Sequence, residues 1–537
     1  MTSLVTAMGA QNMINKYLLL SGLACTSFYC QESFANDDLQ NEIPYPFYQV
    51  QKSADGQQNK LTALNSGIAS LQARIDIIRK AKKNIEVEYF IYALDQSSKL
   101  FTVELVKAAK RGVKVRILVD KSVTIFELDE YYAKALREKG IEVKYYNTAA
   151  TIRLSSMNFR NHRKLLSVDD KYAITGGRNI EDDYFDLSPK YNFLDRDVLI
   201  EGPMARTLRD SFDQYFENRI SEAPQFPTRP ADFIRKRKST ANGKSTVTRK
   251  VSNKRKVDEY LERTKKAQDF LVDDNSNQKL LEKVASIGKP ILYNSKSHIC
   301  PELTYATDRP GGTFLKRLVD DYSDDYRYLR KVFNKKVSST NKHLYLSSPY
   351  ILNNRRSRKL MKDLLDRKVE ITMYTNSLAS TDAVYVAANL YKDVFRWARM
   401  GMNTHVHSSL YHDEATTKLD DSVKEARWGT HSKTQIYESL NSMGELETEI
   451  MVGTYNIDNR SNHYNSEMGV FCKGSEGYSK DVKDNMLDRL KHSYQIHGNR
   501  TATNSSGDRV AVLGKNPDGK FTTVLVALPA WLLKFLL

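Results

Sequence analysis

The stretch "NFRNHRKLLSVDDKYAITGGRN", residues 158–179, sets His162, Lys164 and Asp169 in the order HxKxxxxD and follows them with Gly176, Gly177 and Asn179. Along a strand alternate residues share a face, so His162 and Lys164 project together while Arg163 points the other way. An ammonium offers point charge to phosphoryl oxygens, and an imidazole attacks phosphorus or carries a proton near neutral pH. A single HxK pair is usually an ordinary feature of a solvated strand, so the reading depends on whether it recurs.

It does. "THSKTQIYESLNSMGELETEIMVGTYNIDNRSNHYNSE", residues 430–467, carries His431, Lys433 and an acid, Glu438, at the same offsets. From His162 the glycine and asparagine follow at offsets 14 and 17 (Gly176, Asn179), and from His431 at 22 and 25 (Gly453, Asn456). The extra residues fall around "SLNSMGELET", whose Ser, Asn and Gly content suits a longer hairpin loop. Upstream, "AKKNIEVEYFIY" and "RGVKVRILVDKS" precede the first motif as "TNKHLYLSSPYIL" and "RKVEITMYTNSL" precede the second, each a β-branched strand signal. Downstream, "DRDVLIEG" from Asp195 overlays "EMGVFCKG" from Glu467. Strands alternating with helical stretches such as "KLFTVELVKAAKR" and "RSRKLMKDLLDRK" predict α/β halves related by duplication, each contributing half of a catalytic set.

These residues resemble the phospholipase D superfamily, marked by a duplicated HxKxxxxD with a Gly/Ser-rich turn and Asn; "GTYNIDNRSNHYNSE" is similar to the continuation of its second motif. The resemblance covers roughly residues 60–220 and 310–495 and, through "GGRNIEDDYF", "FLDRDVLIEGP", "FDQYFEN" and "TNSLASTDAVYVAANLY", leans towards C-type bacterial cardiolipin synthases. It implies two tandem α/β/α lobes packed face to face around one active site. It also implies two-step chemistry in which one histidine attacks the phosphodiester and the other protonates the leaving alkoxide, then deprotonates the acceptor. By resemblance His162 is the nucleophile and His431 the acid/base, with Lys164, Lys433, Asn179 and Asn456 on the phosphoryl oxygens. That chemistry calls for no metal or cofactor. The acid expected to orient His431 is Glu467, and for His162 it is Asp195, with Asp183 the rival. Asp169 and Glu438 close the motifs, but lie far enough along the strand to brace structure rather than touch substrate. Glu438 stands where the family usually has aspartate, Thr454 and Asn459 replace a common Ser and Pro, and Lys121 follows Asp120 where a second acid is frequent.

At 537 residues, 40% apolar and 27% charged, the chain is long enough for two cores. The predicted organisation is a targeting segment over 1–35, a first lobe over 36–222, a basic linker or insert over 223–305, a second lobe over 306–500 and a tail over 501–537. In the first segment, "MINKYLLLSGLACTSFYCQESFA" combines Lys16, an apolar run from Tyr17 to Ala24 and a small-residue site before Asn36, so export to a bacterial periplasm or attachment to a membrane is expected. Cys25 and Cys30 lie there, leaving Cys300 and Cys472; an oxidising compartment would allow one disulfide between them, but a pair so far apart in sequence predicts nothing firm. His405 and His407, with His412 nearby, read as a strand end rather than a metal site.

The 82 basic residues exceed the 65 acidic ones by 17, which implies an anionic partner. The densest run, "IRKRKSTANGKSTVTRKVSNKRK" over 234–256, holds ten basic and no acidic residues and reads as a flexible insert. It suits an anionic lipid surface, nucleic-acid phosphates, or simply a solvated linker. Size and duplication favour a phospholipid substrate and an anionic membrane over nucleic acid, with a monomeric catalytic unit. "VLVALPAWLLKFLL", Val524–Leu537, is too short to span a bilayer and suits the headgroup boundary or a core-docked helix. The expected activity is phosphatidyl transfer of the cardiolipin synthase type; the rivals are hydrolysis to phosphatidic acid, a nuclease and an inactive lipid-binding module.

Overall fold

The computed structural model describes residues 37–54, 57–122, 126–148, 159–238, 247–311, 326–351, 354–411, 419 and 421–510. The targeting segment, His412 and the apolar C-terminal stretch fall outside the described residues. A short unit ends at Glu42 and contains the helix Asp37–Glu42; a large unit starts at Ile43.

Two sheets organise the large unit, and their strand orders coincide. The first runs Ser221–Glu222, Ile141–Tyr146, Lys114–Asp120, Asn84–Tyr89, Leu165–Val168, Tyr172–Gly176, Asp197–Glu201, Asn59–Leu64, His298–Cys300. The second, after an added edge strand Ala502–Thr503, runs Ser493–Ile496, Asn403–His407, Glu370–Asn376, His343–Ser347, Thr434–Leu440, Leu446–Gly453, Met468–Lys473, Glu302–Thr307, Tyr48–Lys52. In each, three parallel strands are continued by antiparallel ones, in matching positions. This is the internal duplication read from the doubled motif.

The parallel strands carry the buried β-branched runs, such as Ile85, Val87, Val115, Ile117 and Val119, that sheets covered on both faces require. Helices Gly67–Lys80, Gln96–Lys110 and Glu130–Glu138 begin where Ser66, Asp95 and Asp129 accept hydrogen bonds from first-turn amides, and their apolar stripes close the first core. Met204–Phe216 packs against strands of the first sheet and against Glu302–Thr307 of the second; its counterpart Glu476–Lys491 packs on the second sheet and on Asn59–Leu64 of the first. The two lobes therefore meet through equivalent helices.

The outermost strands are exchanged. Tyr48–Lys52 stands directly before Asn59–Leu64 in sequence but pairs with Glu302–Thr307 of the second sheet, while His298–Cys300 stands directly before Glu302–Thr307 but pairs with Asn59–Leu64 of the first. Cys300, on that exchanged strand, is disulfide-bonded to Cys472 of the second sheet, with a Cα–Cα distance of 5.8 Å.

The insert departs from the flexible segment expected from its composition. Phe233–Lys238 and Val247–Ser252 form a two-stranded antiparallel ribbon, and helices Lys254–Phe270 and Asn275–Asn294 follow. The flexible reading covered 234–256, where the described parts pair as this ribbon; beyond it Val257, Tyr260, Ala267, Leu271, Leu280 and Val284 recur at helical spacing and are buried. Ion pairs Lys107–Asp273 (2.8 Å) and Arg263–Asp129 add to the attachment on the first lobe.

Candidate active site

His162 and Lys164 lie just before the strand Leu165–Val168, and His431 and Lys433 just before Thr434–Leu440, so each HxK pair enters the centre from an equivalent strand. The backbone of each histidine is held by the opposite lobe. His431 N donates to Leu194 O at 2.9 Å, where Arg427–Thr430 runs parallel to Tyr191–Leu194. His162 N donates to Ser466 O at 3.0 Å, beside the bridge between Asn161 and Ser466.

Asp195 follows Leu194 and Glu467 follows Ser466, so the acids meet the histidines crosswise. His431 Nδ1 lies 2.8 Å from Asp195 Oδ2, and His162 Nδ1 lies 2.9 Å from Glu467 Oε2. This corrects the pairing expected from sequence, which matched Glu467 with His431 and Asp195 with His162. Proximity in the chain is a poor guide here because the acid-bearing strand of one lobe runs along the HxK segment of the other. Asp183, the rival, hydrogen-bonds Ser188 instead.

Each acid is fixed in turn. Glu467 accepts from Ser461 Oγ at 2.7 Å and from Thr454 Oγ1, and its backbone N–H donates to Asp308 Oδ2 at 2.9 Å. Asp195 accepts from Arg196 N at 2.7 Å, and its carbonyl receives Arg178 Nη2 at 2.9 Å. Gly177 leaves the space this acid fills: a Cβ there would sit 2.1 Å from Asp195 Oδ1. The Gly-Gly of the motif is thus a close approach to the carboxylate. Phe90 packs edge-on against His162 at 5.2 Å, and Tyr184 and Phe193 lie 5.1 and 4.8 Å from His431.

The lysines converge with the imidazoles. Lys164 Nζ donates to His162 O and Lys433 Nζ to His431 O, each at 2.7 Å. Burial, reinforced by the charge of Lys433, pulls Lys164 down to about 7; burial lowers Lys433 to about 8. Burial and the neighbouring ammonium groups push His162 well below its ordinary value and His431 to about 4. Both imidazoles are therefore neutral at pH 7 without ligand. Burial raises Glu467 to about 7 against the charge of Lys164. At Asp195 burial acts the same way, but His431 and Lys433 overcome it and hold the carboxyl below its usual range. Two concentrated cations with hydrogen-bonded, neutral imidazoles suit a tetrahedral phosphate anion.

The two asparagines differ. Asn179 Oδ1 accepts from Ile91 N at 3.2 Å and its Nδ2 donates to Tyr184 Oη at 2.9 Å, whereas the buried Asn456 Oδ1 has no hydrogen-bond partner among the described residues. Asp169 sits in the turn beyond its strand, accepting the backbone N–H groups of Lys82, Lys83 and Asn84 at 2.7, 2.7 and 3.0 Å. Glu438 is still within its longer strand and pairs with Lys483. Neither acid bonds either imidazole. His405 bonds Ser493 and Asn403, and His407 bonds Tyr374.

Sequence reasoning missed Phe90, Phe193, Ser461 and Asp308. Asp308 stands in no quoted stretch. Phe90, Phe193 and Ser461 sit inside quoted stretches, but nothing in their spacing marks them.

The fold and the doubled His–Lys centre define an enzyme of the phospholipase D superfamily. The family described as "Cardiolipin synthase, PLD-like domain" matches residues 75–219 and 334–489, more than half of the chain, and the protein belongs to it. Cardiolipin synthase C of Escherichia coli (strain K12) is 26% identical over 435 residues, spanning 76% of this chain and 80% of that one. The major cardiolipin synthase ClsA of Bacillus subtilis (strain 168) is 32% identical over 159 residues, 29% of this chain and 33% of the relative. The phosphatidylserine synthase of Haemophilus influenzae Rd KW20 shares the fold at 13% identity, with a TM-score of 0.57 over 93% of this chain and 99% of that one.

Proposed function

We propose that the protein is a phosphatidyltransferase of the cardiolipin synthase type, acting on phospholipid phosphodiesters through a phosphohistidine. The observation that carries this reading is the pair of crossed His–carboxylate contacts flanked by Lys164 and Lys433: each imidazole has Nδ1 engaged by an acid, which leaves the chemistry to Nε2, and at His431 that atom lies 3.0 Å from Lys433 Nζ, so imidazole and ammonium share one place for a phosphoryl group. The span of similarity to cardiolipin synthase C supports the lipid substrate.

With Nδ1–H directed at Glu467, neutral His162 keeps an Nε2 lone pair, attacks phosphorus and forms the N–P bond. As the phosphate anion binds, His431 takes up a solvent proton at Nε2; the P–O bond to the leaving alcohol breaks, and that oxygen receives this proton, which returns His431 to its neutral form. His431 is the better proton carrier because the ionised Asp195 favours its charged form and the incoming phosphate anion adds to that effect. In the second step the acceptor hydroxyl gives its proton to His431, its oxygen attacks phosphorus, and the N–P bond breaks. Lys164 and Lys433 stabilise the non-bridging oxygens in both steps. With water as acceptor the same steps make a phospholipase D.

Purified protein on phosphatidylglycerol and phosphatidylethanolamine vesicles, with His431→Ala as control, tests this. Cardiolipin formed only with intact His431 is the expected result. Phosphatidic acid alone would make the protein a hydrolase, and untouched lipid beside nicked plasmid DNA would make it a nuclease. We extend the reading to an exported or membrane-bound bacterial enzyme, supported by the segment over 1–35; N-terminal sequencing of protein from cell fractions checks it.

A further inference from the structure

We infer that the ribbon Phe233–Lys238/Val247–Ser252 is a docking element for an anionic phospholipid surface, a partner whose identity rests on the lipid reading above. The ribbon belongs to neither main sheet. Its base is closed by Asn253, whose N–H donates to Asp232 O at 2.7 Å and whose Nδ2 donates to Ala231 O at 3.0 Å. An isolated two-stranded ribbon is marginal in water, and this one has register working against it. Arg235 stands directly opposite Lys250, both exposed, and by register Lys236 stands opposite Arg249. Like charges directly opposite destabilise a strand pair, and no acid occurs between Asp232 and Asp258 to relieve them. An external anion supplies what the ribbon lacks.

The apolar residues decide which anion. Phe233 is 51% exposed and Ile234 39% exposed, on opposite faces by alternation, with Lys250 Nζ 3.9 Å from the Phe233 ring centroid. Cations interleaved with exposed apolar side chains match a headgroup boundary, where the charges meet phosphates and the apolar groups leave water. A nucleic-acid backbone would satisfy the cations and leave Phe233, which shares the face of Arg235 and Lys250, in water.

The test is sedimentation of the full chain with phosphatidylcholine vesicles, with and without phosphatidylglycerol, at low and high salt. Binding should require phosphatidylglycerol, fall with salt, and weaken roughly tenfold or more in Arg235→Glu/Lys250→Glu, since each basic residue near such a surface is worth about 1 kcal/mol. Phe233→Ser should weaken it independently of salt. Arg235→Gln/Lys250→Gln, which adds no new charge, should give a smaller loss in the same direction. The charge-reversed protein should turn over short-chain, monomeric phosphatidylglycerol like the parent while losing activity on vesicles. Unchanged vesicle binding in all three variants would overturn the proposal. So would equal binding to neutral vesicles, or ribbon-dependent capture of DNA in preference to phosphatidylglycerol vesicles. Ribbon-dependent binding to anionic vesicles with no turnover of any lipid would sink the enzymatic reading and leave the docking element standing.

Discussion

At the residue scale, the site works because burial sets protonation states. Lys164 and Lys433, drawn down to about 7 and about 8, lose their charge just where ordinary lysines keep it. The free enzyme's kcat/KM is therefore expected to fall as pH rises through 7 to 8, and a pH–rate profile checks it; a plateau to pH 10 would refute it. The same depression costs stability. The folded value of Lys164 is about 7 against an ordinary 10.5, so between those pH values the unfolded chain binds more protons and stability rises with pH. Lys164→Met should then stabilise the ligand-free protein at pH 6, by at most roughly 5 kcal/mol less what the buried Glu467 and Asp195 lose with their counter-charge, and by much less at pH 10, measured by denaturant unfolding. The histidines, lysines and motif acids were legible in the sequence because chemistry dictates their types and spacing. The partner of each histidine was not, because the two sequence copies carry equivalent acids and only the packing of one lobe on the other selects between them.

At the element scale, the eight-residue difference between the copies has a visible outcome. The strands Thr434–Leu440 and Leu446–Gly453 outrun Leu165–Val168 and Tyr172–Gly176, so Asp169 lands in a turn and Glu438 in a strand. The longer hairpin was readable from its Ser, Asn and Gly; the order within the insert was not, because a high density of lysine and arginine masked a helical repeat of buried residues. Asp169→Ala leaves three backbone N–H groups without their acceptor and should cost roughly 1–3 kcal/mol of stability while leaving kcat unchanged in the folded protein. Glu438→Ala should be milder, losing one pair with a partly exposed lysine. Thermal melts beside steady-state kinetics separate these outcomes, and a large loss of kcat in a stable Asp169→Ala protein would return that residue to the catalytic set.

At the scale of the whole molecule, two halves with the same strand order are bound by an exchange of edge strands, by the Cys300–Cys472 bridge and by the crossed acids. The doubled motif made the two-lobe fold legible; the exchange was not, since short edge strands carry no signal of which sheet they join. The bridge closes a loop of 172 residues, so Cys300→Ser or reduction should cost roughly 3–5 kcal/mol, read from melts with and without reductant. The central claim is that each histidine works with the other lobe's acid, in different roles. It is tested by a pre-steady-state assay with a p-nitrophenyl phosphodiester, whose leaving group needs no protonation. His431→Ala and Asp195→Asn should each release a single-turnover burst of p-nitrophenol and stall as a phosphoenzyme, while His162→Ala and Glu467→Gln should lose or sharply slow the burst. If Asp195→Asn instead behaves like His162→Ala, and Glu467→Gln like His431→Ala, the crossed assignment is contradicted.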